Sequence, residues 1–420
     1  MKVKIKSADL HGAVRVPASK SEAHRFLICA ALADQRTDIN IYGICSDIEA
    51  TAECLEEIGA GVNRTETGYS ITPIKSAVSG GLLKCRDSGS TLRFLLPVAA
   101  ALGCDVTFFR EGKLHERPLS PLDEEMLKHG TSLSSDGRYL NVKGKMIGSS
   151  YTIAANVSSQ FISGILMALP ILGGGNITLE GKIESVDYIK MTIDAMKVFG
   201  VDVKFEDNVL SVSSGSVYKS PKKLAVTGDW SGAAFWTAAG ALSSEGITVE
   251  GIDTEATQGD RRIADVVSSM GASVQIGESS IKVSEASLGG IKLDASDIPD
   301  IVPIISVIAS VADGETVISG AARLRIKESD RLAVMTEVLS LMGADVTEMS
   351  DGLAIKGCGR LHGAVVDAHG DHRIAMSAAI ASMKCGGDVT VLGAECVSKS
   401  YSAFWDDFVS LGGIIEIEEN

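Results

Sequence analysis

Six blocks that end an amphipathic helical pattern in glycine and continue as a strand-like run recur along the chain. They centre on Ile58-Gly59, His129-Gly130, Phe199-Gly200, Met270-Gly271, Met342-Gly343 and Leu411-Gly412. Successive glycines lie 71, 70, 71, 72 and 69 residues apart, and chance matches would not keep one period. Each glycine suits a left-handed helix C-cap, after patterns such as Ile48 to Ile58 or Leu332 to Met342.

The first half of each period repeats as well. A short strand (Ala13 to Val16, Leu82 to Cys85, Tyr151 to Ala154, Leu224 to Val226, Ile291 to Leu293, Ala364 to Val366) runs into a polar turn. A small-residue apolar helix follows, such as Arg25 to Ala33 or Arg373 to Ser382, and then a β-branched strand such as Ile247-Thr248-Val249. The unit is an α/β (α+β) one: strand, helix, strand, helix, strand, and one further strand. The sixth copy runs out at Asn420, so residues 1 to 16 are expected to supply its missing strands. Met1 to Lys6 alternates charged and apolar residues as an edge strand would. Periodicity leaves open whether the copies form one ring of six or two groups of three.

Of 420 residues, 45% are hydrophobic and 22% charged, which excludes disorder and fibrous folds and leaves room for two or three cored domains. The net charge of −15 argues against nucleic-acid or anionic-membrane partners. The apolar stretches Phe161 to Leu172 and Ile301 to Ala312 are too short to span a bilayer, and the N-terminus lacks a signal-peptide core, so a cytoplasmic protein is expected. The eight cysteines show no CxxC pair or metal-ligand spacing and are expected to be buried, reduced thiols.

Chemistry-bearing residues cluster in the turns before the two helices of each copy. First-helix turns include Ser19-Lys20-Ser21, Asp87-Ser88-Gly89-Ser90-Thr91-Leu92-Arg93, Ser158-Ser159-Gln160, Ile298-Pro299-Asp300 and Asp371-His372-Arg373. Second-helix turns add Glu116-Arg117-Pro118, Glu184-Ser185-Val186-Asp187-Tyr188, Lys327-Glu328-Ser329-Asp330-Arg331 and Ser398-Lys399. A single Ser or Asp at such a place is by default an N-cap. Cations there (Lys20, Arg25, Arg93, Arg373) oppose the helix dipole and call for an anion.

Lys20-Ser21-Glu22-Ala23-His24-Arg25, Glu116-Arg117-Pro118, Ser158-Ser159-Gln160, Ile298-Pro299-Asp300, Lys327-Glu328-Ser329-Asp330-Arg331-Leu332, Asp371-His372-Arg373-Ile374-Ala375-Met376 and Lys399 resemble, in order and spacing, the 5-enolpyruvylshikimate-3-phosphate synthase family. The resemblance covers essentially the whole chain. It departs at Ala18, where glycine is frequent, and at Asp87, Ser88, Ser90, Thr91 and Phe94 around the retained Gly89. The resemblance implies two similar domains, each of three βαβαββ units around a pseudo-threefold axis, with the active site in the interdomain cleft. Residues 17–226 would form one domain, and 227–420 plus 1–16 the other.

The implied reaction transfers the enolpyruvyl group of phosphoenolpyruvate to the 5-hydroxyl of shikimate 3-phosphate, releasing phosphate, in the shikimate pathway to aromatic amino acids. Lys20, Ser21, Arg25, Ser158, Ser159, Gln160, Ser185, Asp300 and Lys327, with Tyr188 a further candidate, would contact shikimate 3-phosphate. Lys20, Gly89, Arg117, Arg331, Arg373 and Lys399 would hold phosphoenolpyruvate, with Arg93 close by. Asp300 is the implied base, Glu328 the implied acid, and Lys20 an assistant in proton transfer. A monomer with no metal or organic cofactor is expected. The sister transferase acting on UDP-N-acetylglucosamine uses a loop cysteine, and Arg110 to Pro121 contains none. A repeat scaffold that binds partners would repeat its functional side chains, whereas Lys20, Asp300, Glu328 and Lys399 each occur in one copy only.

Overall fold

The computed structural model describes residues 1–418; Glu419 and Asn420, the end of the second expected domain, lie outside the described residues. Six four-stranded sheets make up its β-structure. The second copy shows the plan. Leu82–Lys84 pairs in parallel with Val106–Phe109 across the Gly89–Leu102 helix, since a parallel pair needs a crossover. After the Leu122–Lys128 helix, Ser132–Asp136 and Tyr139–Lys143 form an antiparallel hairpin, and the latter strand pairs with Val106–Phe109. This is the βαβαββ order expected of the repeat. All six helix-ending glycines adopt positive φ, from 75° at Gly200 to 112° at Gly271.

Two strands are exchanged relative to the sequence expectation. Gly12–Arg15, expected to open the first copy, pairs in parallel with Ile247–Glu250 of the fourth, Val14 facing Val249. Lys223–Ala225, expected to open the fourth, pairs in parallel with Thr37–Asn40 of the first. Strands of three or four residues carry no register signal that could tell the two partners apart. Only the first part of residues 1 to 16 completes the last copy. Lys2–Lys6 lies between Val389–Leu392 and Ile414–Glu418, antiparallel to both, and is therefore a central strand rather than an edge strand. Its alternation reflects one buried face, Val3 and Ile5, and one solvated face, where Lys2, Lys4 and Lys6 pair with Glu418, Asp388 and Glu416.

The chain forms two compact units: Ala18–Val226, and Met1–Pro17 with the chain from Thr227 onward. The Pro17 carbonyl accepts from Asp229 N at 2.8 Å, while Ala18 N donates to the Tyr42 carbonyl at 2.7 Å, so neighbouring residues are bonded into different units. Each unit has its own apolar core, in which a fully buried Leu, Ile or Phe is worth about 1.5–3 kcal/mol. In the Ala18–Val226 core the Gly89–Leu102 and Ser159–Ala168 helices pack closely. A Cβ at Gly164 would overlap the Arg93 carbonyl, so only glycine lets the two helices approach this far. All eight cysteines are free thiols; six are buried as expected, but Cys358 is exposed and Cys396 half-buried. Among the described residues no helix is long and apolar enough to cross a membrane.

Candidate active site

In the Ala18–Val226 unit, two arginines tie the helix starts together. Ser19 caps the Lys20–Ala31 helix by accepting from Glu22 N. One turn on, buried Arg25 donates to the Ser21 carbonyl at 2.6 Å, the Tyr188 carbonyl at 2.9 Å and Thr192 Oγ1 at 2.7 Å, and covers the Phe94 ring. Burial brings its guanidinium down to about 10. Arg25 thereby joins the Lys20–Ala31 helix to the Val186–Val198 helix, whose N-cap Ser185 is buried with left-handed φ of 52°. A non-glycine residue there is strained, and such strain collects at functional sites.

Arg93 makes the second tie. It donates to Gln160 Oε1 at 2.7 Å and to the Pro118 carbonyl at 3.1 Å, and Gln160 Nε2 donates to Ser90 Oγ at 2.9 Å. Ser158 caps the Ser159–Ala168 helix, accepting from Gln160 N. Gly89 opens the Gly89–Leu102 helix directly under Arg117, whose guanidinium atoms would stand 3.0–3.2 Å from a Cβ there. Behind this surface runs a buried chain of hydrogen bonds. His24 Nδ1 meets Thr51 Oγ1 at 2.6 Å, Thr51 meets Thr91 at 2.7 Å, and Thr91 donates to Ser88 Oγ at 2.8 Å. Burial holds the His24 imidazole down at about 3, so it is neutral near pH 7.

The other unit gathers Asp300, Lys327, Glu328, Arg331, Arg373 and Lys399. Arg331, almost wholly buried, donates to Asp371 Oδ2 at 2.7 Å, Asp371 Oδ1 at 3.1 Å, Asp300 Oδ1 at 2.9 Å and Glu328 Oε2 at 2.9 Å. Four of its N–H groups thus go to carboxylates, out of the five a guanidinium carries. Asp300 also lies 3.4 Å from Lys327 Nζ and 3.5 Å from Arg373 Nη2, and its carbonyl accepts from Arg373 Nη1 at 2.9 Å. Lys399 Nζ is 3.6 Å from Glu328 Oε1. Burial alone would raise the Asp300 carboxyl, but Arg373, Lys327 and Arg331 outweigh it and hold it well below the usual carboxylate range. Burial brings the Lys327 ammonium down to about 8.

Asp300 stands in a Pro299–Ile301 3-10 turn that leads into the Val302–Val311 helix. Asp371 caps the His372–Ala381 helix by accepting from Arg373 N, and the same carboxylate holds Arg331 and Ser329 Oγ. An aspartate at a helix start reads as a cap from sequence, so its second duty leaves no separate trace. Asp47 was missed for the same reason: it lies at the start of the Ser46–Glu57 helix and carries Lys20. The anions that the helix-start cations call for are thus partly the protein's own: Asp47 for Lys20, Asp371 for Arg331, Asp300 for Arg373.

Residues 4–408 match the family described as EPSP synthase (3-phosphoshikimate 1-carboxyvinyltransferase). The chain is similar to the 3-phosphoshikimate 1-carboxyvinyltransferase of Clostridium kluyveri, 41% identical over 418 residues, covering 99% of this chain and 98% of that one. The protein of the same name from Clostridium perfringens is 39% identical over 425 residues, covering 99% and 100%. Among solved structures, EPSP synthase from Acinetobacter baumannii superposes with a TM-score of 0.82 at 27% identity over the whole of both chains. The enolpyruvyl transferase NikO from Streptomyces tendae, at 16% identity and a TM-score of 0.78 over 99% and 98% of the two chains, shares the fold. With that family matched over nearly the whole length, and the motif residues gathered at helix starts within each unit, the chain belongs to the EPSP synthase (3-phosphoshikimate 1-carboxyvinyltransferase) family.

Proposed function

We propose that this chain transfers the enolpyruvyl group of phosphoenolpyruvate to the 5-hydroxyl of shikimate 3-phosphate and releases phosphate. The observation that carries the assignment of chemistry is that one buried guanidinium, Arg331, holds both Asp300 and Glu328 at 2.9 Å. Two carboxylates fixed by a shared cation suit a reaction that takes a proton at one place and delivers one at another. Asp300 accepts the hydroxyl proton as the oxygen attacks C2 of phosphoenolpyruvate, and Glu328 protonates C3. When the C2–O bond to phosphate breaks, the C3 proton returns to Glu328, and the departing phosphate takes up the proton that left the hydroxyl, freeing Asp300.

Both substrates carry a phosphate and a carboxylate, which demand several cations despite the net charge of −15. Lys20, Ser21, Arg25, Ser158, Ser159, Gln160, Ser185, Tyr188, Asp300 and Lys327 are assigned to shikimate 3-phosphate. Lys20, Gly89, Arg117, Arg331, Arg373 and Lys399, with Arg93 beside them, are assigned to phosphoenolpyruvate. Arg25 and Arg331 also tie their helices and carboxylates together. The enzyme is proposed to work in the cytoplasm as a monomer without nucleic-acid partners, which light scattering of the purified protein tests for the monomer.

Phosphate release decides the reading. Steady release from phosphoenolpyruvate is expected only when shikimate 3-phosphate is present; release driven by UDP-N-acetylglucosamine instead would sink it.

A further inference from the structure

The Gly259–Arg262 and Pro299–Ile301 3-10 turns both pack on the Trp230–Leu242 helix. The first carries Asp260 and the second Asp300. Asp260 is fully buried. Its Oδ2 accepts a hydrogen bond from Ser231 Oγ, and its Oδ1 is buried with no hydrogen-bond partner among the described residues. Capping does not require it. Asp229 already accepts from Ser231 N and Gly232 N, and Gln258 bridges the helix start, accepting from Trp230 N at 3.1 Å and donating to Asp229 Oδ1 at 2.9 Å. A buried carboxyl with a bare oxygen costs stability, so its presence asks for another purpose.

Charged groups that act on Asp260 include Asp300 on the second turn, Arg373 on the His372–Ala381 helix, which packs on the same helix, and Asp229 at that helix's N-cap. The arginines of its own turn are engaged elsewhere, Arg261 on the Thr254 carbonyl and Arg262 at 4.0 Å from Asp297. Burial and the like charge of Asp300 push the Asp260 carboxyl up to about 7, against Arg373 and Ser231. Between buried groups, charges couple more strongly than through water.

We propose that Asp260 is a positioning residue for Asp300, its ionised carboxylate making Asp300 a stronger base. The proposal rests on Asp300 being the base of the proposed reaction. Asp300 starts as a weak base because three cations surround it. A second negative charge offsets part of their field, and base catalysis gains as the base strengthens.

The test is kcat against pH from 5.5 to 9 with phosphoenolpyruvate and shikimate 3-phosphate, for wild type, Asp260→Asn and Ser231→Ala. Wild type should show a limb rising with a midpoint near 7. Asp260→Asn should lose that limb, with turnover at high pH down roughly 3- to 10-fold and KM values within about twofold. Ser231→Ala should move the midpoint upward, because it removes the hydrogen bond that favours the ionised form. A limb that persists in Asp260→Asn, or a loss equal at every pH, overturns the proposal.

A second readout needs no turnover. In protein labelled with 13C at aspartate carboxyls, a resonance titrating near 7 should vanish in Asp260→Asn, and the step near 7 that the Asp300 carboxyl resonance senses in wild type should vanish with it. An Asp300 resonance with no step near 7 in wild type, or one that keeps that step in Asp260→Asn, overturns the coupling. Absence of turnover with the two substrates refutes the proposed function and leaves the coupling to be decided by the resonances.

Discussion

Lys20 Nζ sits 3.0 Å from Oδ2 of Asp47, a carboxylate almost completely buried beneath it. The ammonium at the start of the first motif is therefore aimed by a residue from the next helix.

Asp47→Ala should leave Lys20 present but unaimed. Displacing a positioned group by about 1 Å costs on the order of 10²-fold in rate, so turnover should fall by roughly that factor. Steady-state kinetics with circular dichroism as a folding control checks this; near-normal kcat would remove Asp47 from the machinery.

Gly89→Ala should act on one substrate. The new Cβ would press on the Arg117 guanidinium, the far end of a flexible side chain, so the fold should survive while Arg117 shifts. The KM for phosphoenolpyruvate is expected to rise about 10-fold, equivalent to about 1.4 kcal/mol, with that for shikimate 3-phosphate little changed. Equal changes in both would contradict the placement of Gly89 and Arg117.

Lys327 gives a pH dependence of definite sign. Burial lowers its ammonium to about 8, so its positive charge is present below that pH and lost above it. Affinity for the phosphate-bearing shikimate substrate should weaken as pH rises through 8. Lys327→Arg, which stays charged, should flatten that rise in KM. An identical rise in the variant would assign the titration elsewhere.

His24 governs acid stability. Unfolded, it titrates near 6.5; folded, burial holds it at about 3. Between these values the unfolded chain binds a proton that the native one does not, so stability falls as pH drops through this window. The slope is up to about 1.4 kcal/mol per pH unit. Urea unfolding of His24→Gln between pH 7 and 4 should show a shallower acid loss than wild type; parallel curves would refute this.

What was legible in the sequence follows a physical rule. A helix ending in a left-handed turn needs glycine locally, so Gly59, Gly130, Gly200, Gly271, Gly343 and Gly412 announced the period, and each has positive φ. Cations at helix starts stood out because they oppose the dipole. Asp47 and Asp260 did not, and Asp371 stood out only as part of its motif and not as the holder of Arg331, because an aspartate at a helix or turn start looks like a cap whatever else it holds. The exchanged strands Gly12–Arg15 and Lys223–Ala225 were hidden because partner choice between short parallel strands is settled by the whole chain.

That exchange orders events on the ribosome. The Ala18–Val226 unit contains its own closing strand, so it is complete as soon as Lys223–Ala225 emerges. Lys2–Lys6 and Gly12–Arg15 are made before that unit but have no partner until Ile247–Glu250, Val389–Leu392 and Ile414–Glu418 are made. These two strands, made ahead of the Ala18–Val226 unit, are thus seated only after it is complete, and chaperones meeting the chain during synthesis would find them waiting.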